Sequence, residues 1–356
     1  IGKVVYYNVA KEGFEIREAK PDEVKAFYAK VRPRKVQTPK RDLSVKKIRA
    51  LKDVGFKDSI NVGVKAANLA AMRKFDKMPK DAVPDGFAIP FSFYDDFMKH
   101  NGLYKAAQKL INKTDVKESD LKAFRSLIKK SEMPKSLSAS ISELQNKFKA
   151  GTSIRCRSST NNEDLKGFSG AGLYSSYTHK PDEGHLSKTI KQVYASLWNY
   201  RAFDERRFYH IDHLKTAMGV LVHENFKNEK ANGVAVTDDV LYQSKGNYYV
   251  NMQVGEDLVT NPEEASTPEE LLLDWWSARR VQVLRYSNRV KKNKSILSQE
   301  HLEELRSHLS EVHAQFAKLY GVGLNSKNFA MEVELKITEK GRLIVKQARP
   351  WVYLEK

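Results

Sequence analysis

Residues 154 to 174 read Ile-Arg-Cys-Arg-Ser-Ser-Thr-Asn-Asn-Glu-Asp-Leu-Lys-Gly-Phe-Ser-Gly-Ala-Gly-Leu-Tyr. A short apolar lead-in, Ile154 and Cys156, delivers Arg157 into a hydroxyl run from Ser158 to Thr160. A loop of small residues follows, with glycines at 167, 170 and 172. Arginine offers a rigid fork of donors that matches phosphate oxygens. Glycines let backbone N–H groups approach a phosphate with no Cβ in the way. Either feature alone describes a solvated turn; in this order they suit a phosphorylated ligand. The Walker A pattern is absent from the chain, so P-loop chemistry is excluded.

The second informative stretch lies near the other end. Glu332 and Glu334 stand two apart among Met331, Val333, Leu335 and Ile337, and period-two alternation puts both carboxylates on one face of a strand, opposite the core. Hard oxygen ligands on a rigid strand suit Mg²⁺ shared with nucleotide phosphates. A turn at Glu339-Lys340-Gly341 leads into Leu343 to Ala348, and Gln347 and Arg349 share a face by the same alternation. The two strands predict a hairpin that carries a carboxylate pair beside an amide and a guanidinium.

These motifs resemble the nucleotide-binding domain shared by phosphoenolpyruvate synthase, pyruvate phosphate dikinase, rifampin phosphotransferase and the glucan water dikinases. Cys156-Arg157-Ser158-Ser159-Thr160, Glu163-Asp164 and Phe168-Ser169-Gly170 are similar to its arginine motif and glycine-rich loop. Gly63-Val64-Lys65 with Leu69 resembles its Gly-x-Lys-x-x-x-Leu signature, and Pro84 to Pro90 its Val-Pro-x-Gly-Phe strand. Val254-Gly255-Glu256 resembles its Leu-Gly-Glu segment, and Gln347-Ala348-Arg349-Pro350 its Gln-Ala-Arg-Pro strand. The family has Asp-Ile-Glu where this chain has Glu332-Val333-Glu334, so Glu332 replaces an aspartate. The resemblance runs from about residue 51 to residue 352.

The resemblance implies an α+β fold of the ATP-grasp type, two-lobed, with antiparallel sheets flanked by helices. It divides the chain into residues 1–48, the end of an upstream and swivelling domain plus a basic linker; 49–222, the N-terminal lobe; and 223–356, the C-terminal lobe. It implies ATP and Mg²⁺ as cofactors. Lys65, Arg157, Ser169, Gly170 and Gly172 would hold phosphates, and backbone groups of Val222, His223 and Glu224, in the connector between lobes, would pair with adenine. Glu332 and Glu334 would take the metal, while Arg157, Gln347 and Arg349 would neutralise charge on the transferring phosphoryl group. The implied function is a dikinase-type phosphotransferase domain that passes a phosphoryl group from ATP to a histidine on a partner domain, in cis upstream or in trans. The alternative is a non-catalytic nucleotide-sensing or polyanion-binding module, for which Glu332 and the net charge speak. A carboxylate–amine ligase is disfavoured by the Arg-Ser-Ser and Gln-Ala-Arg-Pro motifs.

Bulk properties agree with this class. The chain has 356 residues, enough for two or three packed subdomains, with 41% hydrophobic and 30% charged residues. No apolar run of 18 or more suggests a membrane span, and no signal-peptide core is visible in the first twenty residues, so a cytoplasmic location is expected. The net charge of +18 favours polyanions, yet the lysines are dispersed and form no recognisable nucleic-acid module. The single cysteine, Cys156, reads as a core-facing strand residue. None of the nine histidines sits in the setting of the family's phosphorylated histidine, and neither that module nor an acceptor barrel is apparent.

Remaining elements follow from local pattern. Residues 3–18 predict a hairpin, 21–29 a short helix, and 31–47, with seven Lys/Arg, an exposed linker. Helices are predicted over Thr189–Phe208, about Pro268–Val290, and Ser298–Tyr320, the last with an apolar face at 302, 305, 309, 312, 316 and 319. Met218–His223 and Gly233–Thr237 read as buried strands lying opposite one another.

Overall fold

The computed structural model describes every residue except 1–3, 11–12, 164, 166–167, 169, 171, 257–258, 260–264, 292 and 354–356. The predicted hairpin is present as β1 (Val5–Ala10) and β2 (Gly13–Glu18), followed by α1 (Pro21–Val31). No α1 side chain is buried, and Val9, Phe14 and Phe27 are each at least 60% exposed, so this segment builds no core of its own. The basic stretch after it is pinned rather than free. Gln37 bridges to Ile211, Pro39 is buried, and Arg41 donates to the Leu214 carbonyl.

Two antiparallel sheets dominate the rest. The first contains β3 (Arg49–Ala50), β4 (Phe87–Ile89), β5 (Ile154–Thr160), β6 (Tyr177–His179) and β7 (Met218–Glu224), in the order β3-β4-β7-β5-β6. Around it lie α2 (Ser59–Val62), α3 (Val64–Met72), α4 (Phe91–His100), α5 (Leu103–Ile111), α6 (Glu118–Lys130), α7 (Lys135–Gln145), α8 (Ser187–Ser196) and α9 (Tyr200–Phe208). Phe97, Ile128, Ile141 and Val193 from these helices share one apolar cluster with Ile154, Cys156 and Val220 of the strands. Cys156 is fully buried, which fits its reading as a core residue. The helix predicted over 189–208 divides at Asn199, whose backbone is extended and whose amide donates to the Leu173 carbonyl.

The second sheet contains β8 (Ala231–Val236), β9 (Asn247–Val254), β10 (Glu269–Asp274), β11 (Val281–Arg285), β12 (Met331–Ile337) and β13 (Leu343–Pro350), in the order β11-β10-β9-β8-β12-β13. Its core face is covered by α10 (Gln299–Tyr320) through Leu305, Leu309, Val312 and Phe316, while Leu319 stays 39% exposed. Two sequence-based expectations fail in this sheet. Residues 268–290 form the β10–β11 hairpin, not a helix. The Asp274 carboxylate accepts from the backbone of Trp276 and Ser277 and turns the chain, and Leu271 and Leu273 join the core on one face while Leu272 is buried on the other. Strands β7 and β8 do not lie opposite each other; they belong to different sheets, joined by residues 225–230.

Helix α3 links the sheets. Its start is held at β5, where Ser159 Oγ accepts from the Ala66 N–H at 3.1 Å, and Gly63 approaches so closely that a Cβ would meet the Ser159 carbonyl. Its body shares the core of the second sheet, and Asn68 donates to the Ala348 carbonyl of β13 at 3.0 Å. Residues 51–83 therefore help to build the core beneath the six-stranded sheet. No helix among the described residues is long and apolar enough to cross a membrane.

Candidate functional site

The alternation of β12 holds. Met331, Val333 and Leu335 are buried in the core, which leaves Glu332 and Glu334 on the opposite face. The ladder sets Glu332 against Arg349 and Glu334 against Gln347 on β13. Arg349 Nη2 donates to both oxygens of Glu332, at 2.6 and 2.8 Å. The register then shifts, Leu335 facing Val345, so that Lys346 is an extra residue on β13. Because of this bulge Val345 and Ala348 both point into the core, while Lys346 joins Gln347 on the carboxylate side, its Nζ 3.5 Å from Glu334 Oε2.

Arg157 reaches this face from the other sheet. It is 8% exposed and donates to the Lys346 carbonyl at 2.7 Å, Glu334 Oε2 at 3.0 Å and Gln347 Oε1 at 2.5 Å. A bulge turns one carbonyl out of the ladder, and here the guanidinium caps it. Burial alone would raise the Glu334 carboxyl, but Arg157, Lys346, Lys65 and Arg349 hold it down at about 2. Lys65, in the first turn of α3, pairs with Glu163 at 2.5 Å; burial lowers its ammonium and Glu163 opposes that. Arg155 and Lys336 add further cations; Lys336 contacts Glu229, against burial and neighbouring cations that draw its ammonium downward.

The structure thus brings Lys65, Arg157, Glu332, Glu334, Gln347 and Arg349 to one junction between the sheets. Gly170 lies against Glu163, and Gly172 has a left-handed backbone (φ 66°) with open space beside it. Ser169 falls outside the described residues. Val222 is flanked by β4 and β5, whereas His223 and Glu224 extend past the end of β4 and keep only the β5 partner. Burial and the nearby Arg157 push the His223 imidazole down to about 3, so the ring is neutral. Its Nδ1 pairs with the Glu224 carbonyl at 2.7 Å, and Nε2 is a buried acceptor with no hydrogen-bond partner among the described residues. A separate cavity of about 330 Å³, bordered by Ala231, Val254, Ile296 and Ile337, includes none of these residues.

Two participants were not singled out as site residues from sequence. Lys346 escaped because strict alternation assigns it to the core side, and only the bulge reverses that. Glu163 stood within a quoted motif, but no spacing rule shows that it meets Lys65, which lies 98 residues away in the chain.

Known proteins are similar to this chain over most of its length. The family described as "Pyruvate phosphate dikinase, AMP/ATP-binding domain" matches residues 59–356. The "Probable phosphoenolpyruvate synthase" of Methanocaldococcus jannaschii is 27% identical over 348 residues, covering 90% of this chain and 28% of the relative. The phosphoenolpyruvate synthase of Aeropyrum pernix is 27% identical over 312 residues (80% of this chain, 36% of the relative). That of Neisseria meningitidis serogroup B is 26% identical over 322 residues (82% and 40%). The chain therefore spans well under half the length of these relatives. With two antiparallel sheets meeting at one basic junction and a match over most of its length, the fold is ATP-grasp-type, and the chain belongs to the AMP/ATP-binding domain family of pyruvate phosphate dikinase.

Proposed function

We propose that this chain binds Mg·ATP at the junction of its two sheets and acts as the phosphotransferase domain of a dikinase-type enzyme, delivering a phosphoryl group to a histidine on a partner domain. The observation that carries the reading is Arg157, which crosses from β5 to meet Glu334, Gln347 and Lys346. A triphosphate placed there meets Lys65, Arg157, Lys346 and Arg349, four cations whose present partners are carboxylates, an amide and a carbonyl that an anion can displace or share. The N-terminus of α3 adds favourable backbone dipoles. Adenine would sit at the end of β7, where the exocyclic amine can satisfy the unpartnered Nε2 of His223.

The donor chemistry fits Mg²⁺, which takes one or two carboxylates and completes its shell with phosphate oxygens and water. Glu334, anionic and half-buried, would hold it, with Glu332 as the second ligand once released from Arg349. The bound ion would screen the phosphates and polarise the bond to be broken. Arg157, Arg349 and Gln347 then stabilise charge that spreads over the equatorial oxygens during transfer. The acceptor histidine comes from elsewhere, since His223 is enclosed and tied to its own backbone. The lobes divide at the end of β7, with α3 contributed by the first to the second, and residues 1–48 close an upstream domain.

A second reading, nucleotide sensing without turnover, is favoured by the grip of Arg349 on both Glu332 oxygens. Labelled ATP, a panel of small acceptors and a histidine-bearing partner domain separate the two. Nucleotide binding is expected from the chain alone, with release of AMP only when the histidine domain is added. Rapid labelling of a small acceptor by the chain alone would refute the transfer route, and binding with no AMP release under any condition would favour sensing.

A further inference from the structure

Glu163 links the two elements that face the phosphates. It opens the loop 163–173, whose ends are tied by reciprocal bonds between Asn162 and Tyr174, at 2.8 and 3.1 Å. Arg206, fully buried, donates to the same Tyr174 hydroxyl at 3.4 Å. Within that fixed stem the Glu163 side chain is 6% exposed and sits 2.5 Å from Lys65 Nζ. The loop returns over it: a Cβ at Gly170 would lie 2.7 Å from Glu163 Cγ, so only glycine allows this approach. One carboxylate therefore touches the helix-borne lysine and the glycine-rich loop together.

We propose that Glu163 is a positioning residue for Lys65, holding one of its three N–H donors and keeping the ammonium charged while the other two donors face phosphate oxygens. The inference rests on Lys65 being a phosphate ligand, as proposed above. The charged groups facing Lys65 are Glu163 from the loop, Arg157 from β5 and Glu334 from β12, with Lys346 and Arg349 of β13 on the far side of Glu334. Burial and Arg157 both disfavour a charged lysine, and Glu334 is shared with three other cations, so Glu163 is the principal counterweight. A neutral, isosteric glutamine keeps the shape and removes that counterweight. In such a variant the lysine loses its proton at a lower pH, and affinity for a polyanion falls as pH rises, because the bound state needs the charged form.

The test is the affinity of the 356-residue chain for Mg·ATP, measured by calorimetry across a pH series from about 6 to about 9, a window between the ordinary carboxylate and lysine ranges. The ratio of wild-type to Glu163→Gln affinity is expected to grow with pH, approaching about tenfold per pH unit where Lys65 has lost its proton in the variant but keeps it in the wild type. Glu163→Asp, which restores the charge on a shorter stem, should bind more weakly than wild type with a ratio that does not change with pH. A pH-independent ratio for Glu163→Gln would overturn the proposal. Lys65→Met separates the two levels: if it binds nucleotide as wild type does, Lys65 is no phosphate ligand and the underlying reading fails. If it loses affinity while the Glu163→Gln ratio stays flat, only the positioning role fails. Nitrogen NMR of the Lys65 ammonium in the nucleotide-free chain gives an independent readout, with loss of its proton expected at lower pH in Glu163→Gln.

Discussion

Arg157→Ala tests the central geometry most directly, because the side chain bridges the two sheets and is proposed to act on the transferring phosphoryl group. Its removal leaves the Lys346 carbonyl and the Gln347 Oε1 without their donor, in a place where Gln347 is only 4% exposed. It also takes from Glu334 the cation that does most to hold its carboxyl down. A hydrogen bond from a charged donor contributes about 1.5–3 kcal/mol net. The Glu334 contact counts for less, about 1 kcal/mol, since that side chain is 30% exposed and water can replace the guanidinium. Allowing for water entering the vacated volume, the expected loss of stability is about 3 kcal/mol. For a chain of 356 residues that is a fall in Tm of about 4 °C, small enough to leave the protein folded at room temperature. Phosphoryl transfer to a histidine domain should fall much further, by about 10²-fold or more, if the guanidinium stabilises transition-state charge. Arg157→Lys should recover part of the stability and little of the rate, because an ammonium cannot reproduce the three-way fork. The assays are thermal unfolding and single-turnover transfer from labelled ATP. Wild-type stability in Arg157→Ala would refute the bridging role, and a destabilised variant with a wild-type transfer rate would make Arg157 purely structural.

Glu334→Ala should abolish Mg-dependent nucleotide binding; unchanged affinity with and without the metal would remove Glu334 from the metal site. Arg349→Ala should slow transfer by about 10²-fold and also lower stability, since the Glu332 side chain is only 13% exposed and loses both bonds from the guanidinium; a variant that unfolds without a kinetic defect would contradict the kinetic role. Stability should decline on acidification in two stages. His213, His223 and His308 are buried neutral, with values pushed by burial from 6.5 down to about 3, about 3 and about 4, so each stabilises above 6.5 and loses that contribution as pH falls through its folded value. Glu334, held at about 2 against an ordinary 4.5, stabilises above 4.5 and loses its contribution between 4.5 and about 2. Urea unfolding at stepped pH checks this, and constant stability from pH 7 to pH 4 would exclude the imidazole stage.

What the chain discloses about itself depends on how far apart the interacting residues are. Glu332, Glu334, Gln347 and Arg349 were legible because a strand's alternation is local and a three-residue turn fixes which strand faces which. The same rule failed on β10, where Leu271 to Leu273 are buried on both faces of the sheet and the alternation that marks a strand is erased. The separation of β7 from β8 was not legible either, because strand pairing across dozens of residues leaves no trace in the intervening sequence. Lys346 shows the limit most clearly. One extra residue in β13 reverses the face of everything before it, so the lysine that the pattern sends into the core stands beside Glu334, and the carbonyl it carries becomes the acceptor for Arg157. The bulge therefore both brings a cation to the carboxylate face and creates a docking point between the two sheets, beside the link made by α3. That dual role places the ladder irregularity where Arg157 crosses from β5 to the hairpin.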